Sequence, residues 1–424
     1  MRKSVSLLFV SFFLMASCLV IAEPALSSDE TKENFWTAQA PVPEAGGGEA
    51  AVVNGKIYVI GGDANFEYNP DTDTWTTKKP MPTPRSHFGI AIYQNKIYTM
   101  GDYVNSSDNE VYDPATDTWA IKKSLPANGN RINSIKMASV INGKIHLVSP
   151  RTHDIYDVAT DTWTTGKIMP FPLSGASVAF DDKIYVIVGN KTQIYDPDSG
   201  SWSLGVSSPI SVGMAAVCAT TGVVAPKRIY VFGGSTGFVE ETNVTQVYDP
   251  ETDTWTLGAS MPTTRAAAAV AVVNDLIYVI GGGFGWGMTT NANEQYTPFG
   301  YGLIEPVVSV LSPQNKTCNE NSVPLTFTVD KPVSWIQYSL DGQDNLTVTE
   351  NTTLTDLPNG LHKITVYAKY AKGSIGASET TMFTVEVFPT TLTAVIIISI
   401  STVVASVALL FHFKKRKNNT ADEL

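Results

Sequence analysis

Two continuous apolar runs bracket a long middle region in which hydrophobic residues come in short bursts. The first, SLLFVSFFLMASCLVIA, follows Arg2 and Lys3; the second, TTLTAVIIISISTVVASVALLFHF, covers residues 390–413. Between them lie runs rich in Val, Ile and Tyr, such as AAVVNGKIYVIGG, IAIYQNKIYTMGD and VAVVNDLIYVIGGG. Asn-Gly, Asp-Asp and similar pairs break these runs in the middle, which predicts paired strands joined by tight hairpin turns.

The terminal runs predict membrane-related segments. A basic start, an apolar stretch and the small residues Val20 and Ala22 read as a signal peptide over residues 1–22. Residues 390–413 are uncharged and long enough for a helix crossing about 30 Å of hydrocarbon. Lys414, Lys415, Arg416 and Lys417 follow at once, so the expected topology is single-pass type I in the plasma membrane. Residues 23–389 are then extracellular and residues 414–424 a cytoplasmic tail.

Self-similarity organises the middle. FEYNPDTDTW, EVYDPATDTW, DIYDVATDTW, QIYDPDSGSW and QVYDPETDTW place Tyr68, Tyr112, Tyr156, Tyr195 and Tyr248 each seven residues before Trp75, Trp119, Trp163, Trp202 and Trp255. The Asp, Pro and Thr residues between them suit a second hairpin turn, because proline presets φ and the short side chains bond nearby amides. The same aspartates suggest calcium, but they recur as turn residues and form no EF-hand loop.

A glycine-rich, aromatic, four-stranded unit repeating every 39 to 53 residues resembles a kelch repeat. The resemblance rests on Gly61-Gly62, Gly233-Gly234 and Gly281-Gly282 with the spaced Tyr and Trp. It implies a β-propeller, with the Tyr and Trp packed between sheets. The third copy departs from it with His146 and Ser149-Pro150, and the second and fourth keep only Gly101 and Gly189, so these units are expected to be less regular.

Counting closes the ring. Six copies have a strand tyrosine, the last being Tyr296, but seven residues later stands Leu303 rather than tryptophan. Trp36 in NFWTAQAPVP supplies the missing residue if the N-terminal strand is the outer strand of the last unit. The expected fold is therefore all-β: a six-bladed kelch propeller over residues 34–302, closed by that strand. Residues 305–388 lose the repeat and alternate as PLTFTV, SWIQYSL and HKITVYAKY, resembling an immunoglobulin-like sandwich with Trp335 as its core aromatic. The whole arrangement resembles archaeal surface proteins.

Charge narrows the partners. Residues 23–389 carry 23 Lys and Arg against 38 Asp and Glu, a balance that argues against nucleic acid. Cys218 and Cys318 fall in different units and make no disulfide framework. Sequons at Asn105, Asn190, Asn243, Asn315, Asn345 and Asn351 fit a glycosylated surface.

Candidate chemistry gathers on the loops leading into each repeat and on the loops between second and third strands. In the fold that the resemblance implies, both sets share one face. Arg85, Arg265 and Arg131 stand at or near one place in three copies, where guanidiniums suit a carboxylate ligand or pair with loop carbonyls. GGGFGWGMTTNAN brings Phe284 and Trp286, and STGFVEETNVT brings Phe238; these aromatics suit sugar or protein contact, or cap the channel. Galactose oxidase resembles this propeller class, yet no copper constellation stands among Cys218, His87, His146 and His153. The sequence implies no cofactor and no metal. The resulting expectation is a surface protein binding a glycan or another protein, against a sugar-processing enzyme of the sialic acid mutarotase type using Arg85, Arg265, His87 and Glu44.

Overall fold

The structure is a computed structural model that describes residues 33–46, 48–102, 107–126, 137–237, 240–284, 288–370, 374–387 and 399–412. The expected signal peptide, residues 1–22, lies outside these.

Residues 35–297 form six four-stranded antiparallel sheets. Sheets I to V follow the chain, spanning residues 49–77, 89–121, 137–165, 176–204 and 216–257. Sheet VI takes three strands from residues 269–297, and its outer strand is Phe35–Gln39. The inner strands, Glu49–Val53, Gly89–Tyr93, Met137–Ile141, Ala176–Phe180, Ala216–Ala219 and Ala269–Val273, touch one another in sequence, and the last touches the first.

Turn chemistry explains the hairpins. In sheets I, II, III, IV and VI the inner and second strands join through Asn54-Gly55, Gln94-Asn95, Asn142-Gly143, Asp181-Asp182 and Asn274-Asp275, with both φ values positive in every pair. That is the two-residue turn whose twist matches paired strands, and Asn, Asp and Gly tolerate it best. Sheets II, III and IV, expected to be less regular, are each four-stranded. In sheet III the Ser149 hydroxyl accepts the Arg151 and Thr152 amides.

Aromatic contacts join each sheet to the next. The second-strand aromatic of one sheet packs on the third-strand tyrosine of its neighbour: Tyr58 on Tyr112, Tyr98 on Tyr156, His146 on Tyr195, Tyr185 on Tyr248, Tyr230 on Tyr296 and Tyr278 on Tyr68, with centroids 5.8–6.2 Å apart. Each outer-strand tryptophan donates its indole N–H to a backbone carbonyl of the preceding sheet's exit segment. For Trp119 the acceptor is Lys79 at 2.9 Å, and for Trp36 it is Ala259 at 2.8 Å.

The turn aspartates complete this stitch. Asp73, Asp117, Asp161 and Asp253 each accept the tyrosine hydroxyl of their own repeat at 2.5–2.7 Å and a backbone amide of the preceding sheet. At the ring's junction Asn34 takes this part, accepting Tyr296 Oη at 2.7 Å and the Ala259 amide at 2.6 Å. Its φ of 53° equals that of Asp73, so NFW occupies the place of DTW. Among the described residues no cluster of three His, Cys, Asp or Glu is placed to hold a metal.

The glycine pairs serve close approach. Gly281 and Gly282 have φ of 63° and 88°, and a Cβ on Gly281 would stand 2.3 Å from the Gly46 carbonyl. Only glycine fits a left-handed backbone with another chain lying on it.

In sheet III a histidine pair stands where sheet I has Tyr58 and Asn65. His146 Nδ1 lies 3.0 Å from His153 Nε2, and His153 Nδ1 lies 3.1 Å from the Lys167 carbonyl. The carbonyl needs a donor, so His153 carries its proton on Nδ1 and accepts from His146 through Nε2. Burial, with His153 and Lys144 adding to it, pushes His146 down to about 4, and burial also lowers His153. The unfolded chain therefore binds more protons below its ordinary value of 6.5, and stability is lost as pH falls from there toward about 4. His146→Tyr is expected to flatten the fall in denaturant midpoint over this window; an unchanged slope contradicts the assignment.

Residues 308–385 form two further sheets over one core. Val308–Ser312, Val323–Val329 and Thr352–Leu354 make one, and Gly360–Lys369 with Trp335–Leu340 and Thr381–Val385 centre the other. The core holds Leu325, Phe327, Ile364, Val366 and Phe383. Trp335, expected there, is half-buried opposite Lys369, because strand alternation turns Ile336, Tyr338 and Leu340 inward instead. Cys218 and Cys318 are both free.

The expected single-pass, type I placement is corrected. The C-terminal helix is described over residues 399–412, about 21 Å at 1.5 Å per residue. Among the described residues no helix is long and apolar enough to cross a membrane.

Candidate site at the mouth of the ring

The inner strands begin at one end of the ring, where a cavity of about 400 Å³ opens. Its wall is mostly small residues, among them Gly48, Ala50, Ala138, Ala176, Ala215 and Ala268. Small side chains follow from geometry, since six strand starts converge there.

Three left-handed residues shape the mouth. His87, Met214 and Ala267 have φ of 56°, 50° and 50°, and all three line the cavity. Such backbone costs of order 1–3 kcal/mol in a non-glycine residue and persists where surrounding bonds over-determine it. Here the Ala267 amide donates to the Met214 carbonyl at 2.8 Å, and Gly213 and Ser235 exchange backbone bonds of 2.8 Å.

Glu49 lines the cavity and was missed in favour of Glu44, which is exposed and outside the lining. Desolvation raises the Glu49 carboxyl to about 8. The signal was available in the sequence. Aligned strand starts read Glu49, Gly89, Met137, Ala176, Ala216 and Ala269, a single charge among small or apolar residues. His87 shares the cavity, and burial lowers its pKa.

The arginines lie elsewhere. Arg85 is buried, with Nη2 2.7 Å from both Glu110 and the Thr99 hydroxyl. Arg265 is buried, with Nη2 2.6 Å from Glu294 and 3.1 Å from the Val279 carbonyl. In each case a threonine two residues earlier, Thr83 or Thr263, donates to the other carboxylate oxygen. Burial works against both guanidinium charges and the neighbouring carboxylates offset part of it. Neither arginine lines the cavity. Both clamp their loops to the third strand, the place that Gln193 fills by bonding the Phe171 backbone and Gln246 by bonding that of Ile210.

Apolar residues stand beside the mouth. On the loop from sheet III to sheet IV, Leu173 is 64% exposed, two residues before cavity-lining Gly175; Met214 on the next loop lines the cavity and is 48% exposed. Arg131, Phe238, Trp286 and Asn105 lie outside the described residues, as does the Phe284 side chain. Among the sequons, Asn315, Asn345 and Asn351 are exposed, whereas Asn190 and Asn243 are half-buried and the Asn243 amide donates to the Met261 carbonyl.

Cyclic sheets stitched by Tyr, Trp and turn Asp define a kelch-repeat β-propeller. The Kelch motif matches residues 46–82, 84–126, 216–262 and 264–298, which correspond to sheets I, II, V and VI. The chain is 44% identical over 61 residues to Kelch-like protein 15 of Danio rerio, covering 13% of this chain and 10% of that protein. It is 36% identical over 66 residues to the Influenza virus NS1A-binding protein of Homo sapiens, covering 14% and 10%. The matched stretch thus spans about a tenth of each of these relatives. The solved structure of YjhT aligns with a TM-score of 0.50 at 16% identity, over 61% of this chain and 96% of that one, and shows the fold alone.

Proposed function

We propose that this chain is a binding protein: a six-bladed kelch propeller whose cavity mouth receives a protein partner, with residues 305–388 as an Ig-like spacer. The observation that carries the reading is the exposed apolar pair, Met214 in the cavity wall and Leu173 two residues from it in sequence, at a preformed cavity. Exposed apolar groups next to a concave, pre-ordered site are what partner contacts use. A human relative is named for protein binding, which agrees. Phe238, Phe284 and Trp286 are proposed as further contact residues for that partner. A sugar-processing reaction would have to draw on Glu49 and His87, because the guanidiniums it needed are held by Glu110 and Glu294.

The test is a double variant, Leu173→Asp with Met214→Asp. Affinity for an identified protein partner, measured by calorimetry, is expected to fall at least about tenfold with the melting temperature unchanged. Equal affinity rejects the mouth as the contact surface.

A further inference from the structure

Glu49 is half-buried in the cavity wall, and its carboxylate has no hydrogen-bond or ion-pair partner among the described residues. Structural carboxylates in this ring are treated differently. Glu110 and Glu294 each hold an arginine and a threonine. Asp275, fully buried, accepts four bonds from Thr221, Val224 and Ala225. Glu49 alone of these faces open volume.

We propose that the central cavity is a binding site for an alkylammonium group, whose charge pairs with Glu49 while its carbon stem lies against the small apolar wall. A cation offers the counter-charge that the wall lacks, since an isolated carboxylate in apolar surroundings is strongly disfavoured. His87 is the only other titratable group among the described lining residues, and burial favours its neutral form. The acidic body also draws cations toward the ring. Free amines and the lysine side chain of a partner carry this group alike, and the site stands whether or not the mouth binds a protein.

Proton balance follows. In the empty cavity desolvation keeps Glu49 protonated up to about pH 8. When the ammonium enters, Glu49 loses that proton to solvent and an ion pair forms. Affinity therefore rises about tenfold per pH unit below about 8 and then levels.

The experiment titrates the full chain with n-butylammonium, N-acetyl-lysine N-methylamide and 1-butanol at pH 6, 7 and 8, in buffers of different ionisation enthalpy. Expected are release of close to one proton per butylammonium at pH 7, the stated rise with pH, and binding of butanol at least about tenfold weaker. Binding of the lysine probe as well identifies a partner's side chain as a source; binding of butylammonium alone points to free amines. Glu49→Gln, checked for an unchanged melting curve, is expected to abolish proton release and weaken butylammonium at least about tenfold. The wild-type pH series stands without that variant. Butanol binding equally well, no proton release, or full affinity in Glu49→Gln overturns the proposal.

Discussion

Deleting residues 34–39 is expected to unfold the whole ring under conditions where the full chain is folded. The strand Phe35–Gln39 pairs with Asn293–Thr297 along its full length, with Trp36 opposite Tyr296. Its loss opens sheet VI to solvent and removes the Asn34 and Trp36 bonds to Ala259 together. Trp36 also packs on Phe232 at 5.4 Å and Tyr296 at 5.0 Å, so Trp36→Ala alone is expected to cost about 3–5 kcal/mol. Asn34→Ala removes a cap that bonds two groups and costs about 1–2 kcal/mol. Chemical denaturation of the three forms checks the order. A deletion variant that melts with the parent would show that residues 34–39 do not hold the ring closed.

Arg265→Ala is expected to be nearly as damaging, for an electrostatic reason. Glu294 would remain buried without its counter-charge, and breaking a buried pair from one side costs about 3–5 kcal/mol. Replacing both members, Arg265→Met with Glu294→Gln, restores part of that stability because no charge is stranded. The comparison separates a clamp from a ligand contact. If Arg265→Ala leaves the denaturation midpoint unchanged, the pair is not holding the loop.

Much of the fold was legible because the chain repeats. The Tyr and Trp spacing fixed which strands pair, and the absent sixth tryptophan pointed to Trp36. Asn34 was less legible: its equivalence to Asp73 depends on a left-handed φ, which spacing alone does not reveal. Trp335 misled because a single aromatic in an alternating strand does not say which face is inward. The C-terminal run suggested a spanning helix through its uncharged apolar length and the basic residues after it, and the described helix is shorter than such a span requires.

The site was less legible than the fold, and particular residues show why. Arg85 and Arg265 look functional in a loop motif, but their partners, Glu110 and Glu294, lie 25 and 29 residues away on third strands. Glu49 looks like one acid among many until the six strand starts are superposed. Proximity in the cavity comes from radial closure, which joins residues as far apart as Glu49 and Ala268.

The mouth's role is tested most directly by hydrogen–deuterium exchange of the full chain with and without an identified protein partner. Protection is expected at residues 86–88, 173–177, 213–217 and 266–268, with the opposite turns, such as Asp181-Asp182, unchanged. Protection confined to residues 305–385, with those four segments exchanging as in the free chain, would contradict it.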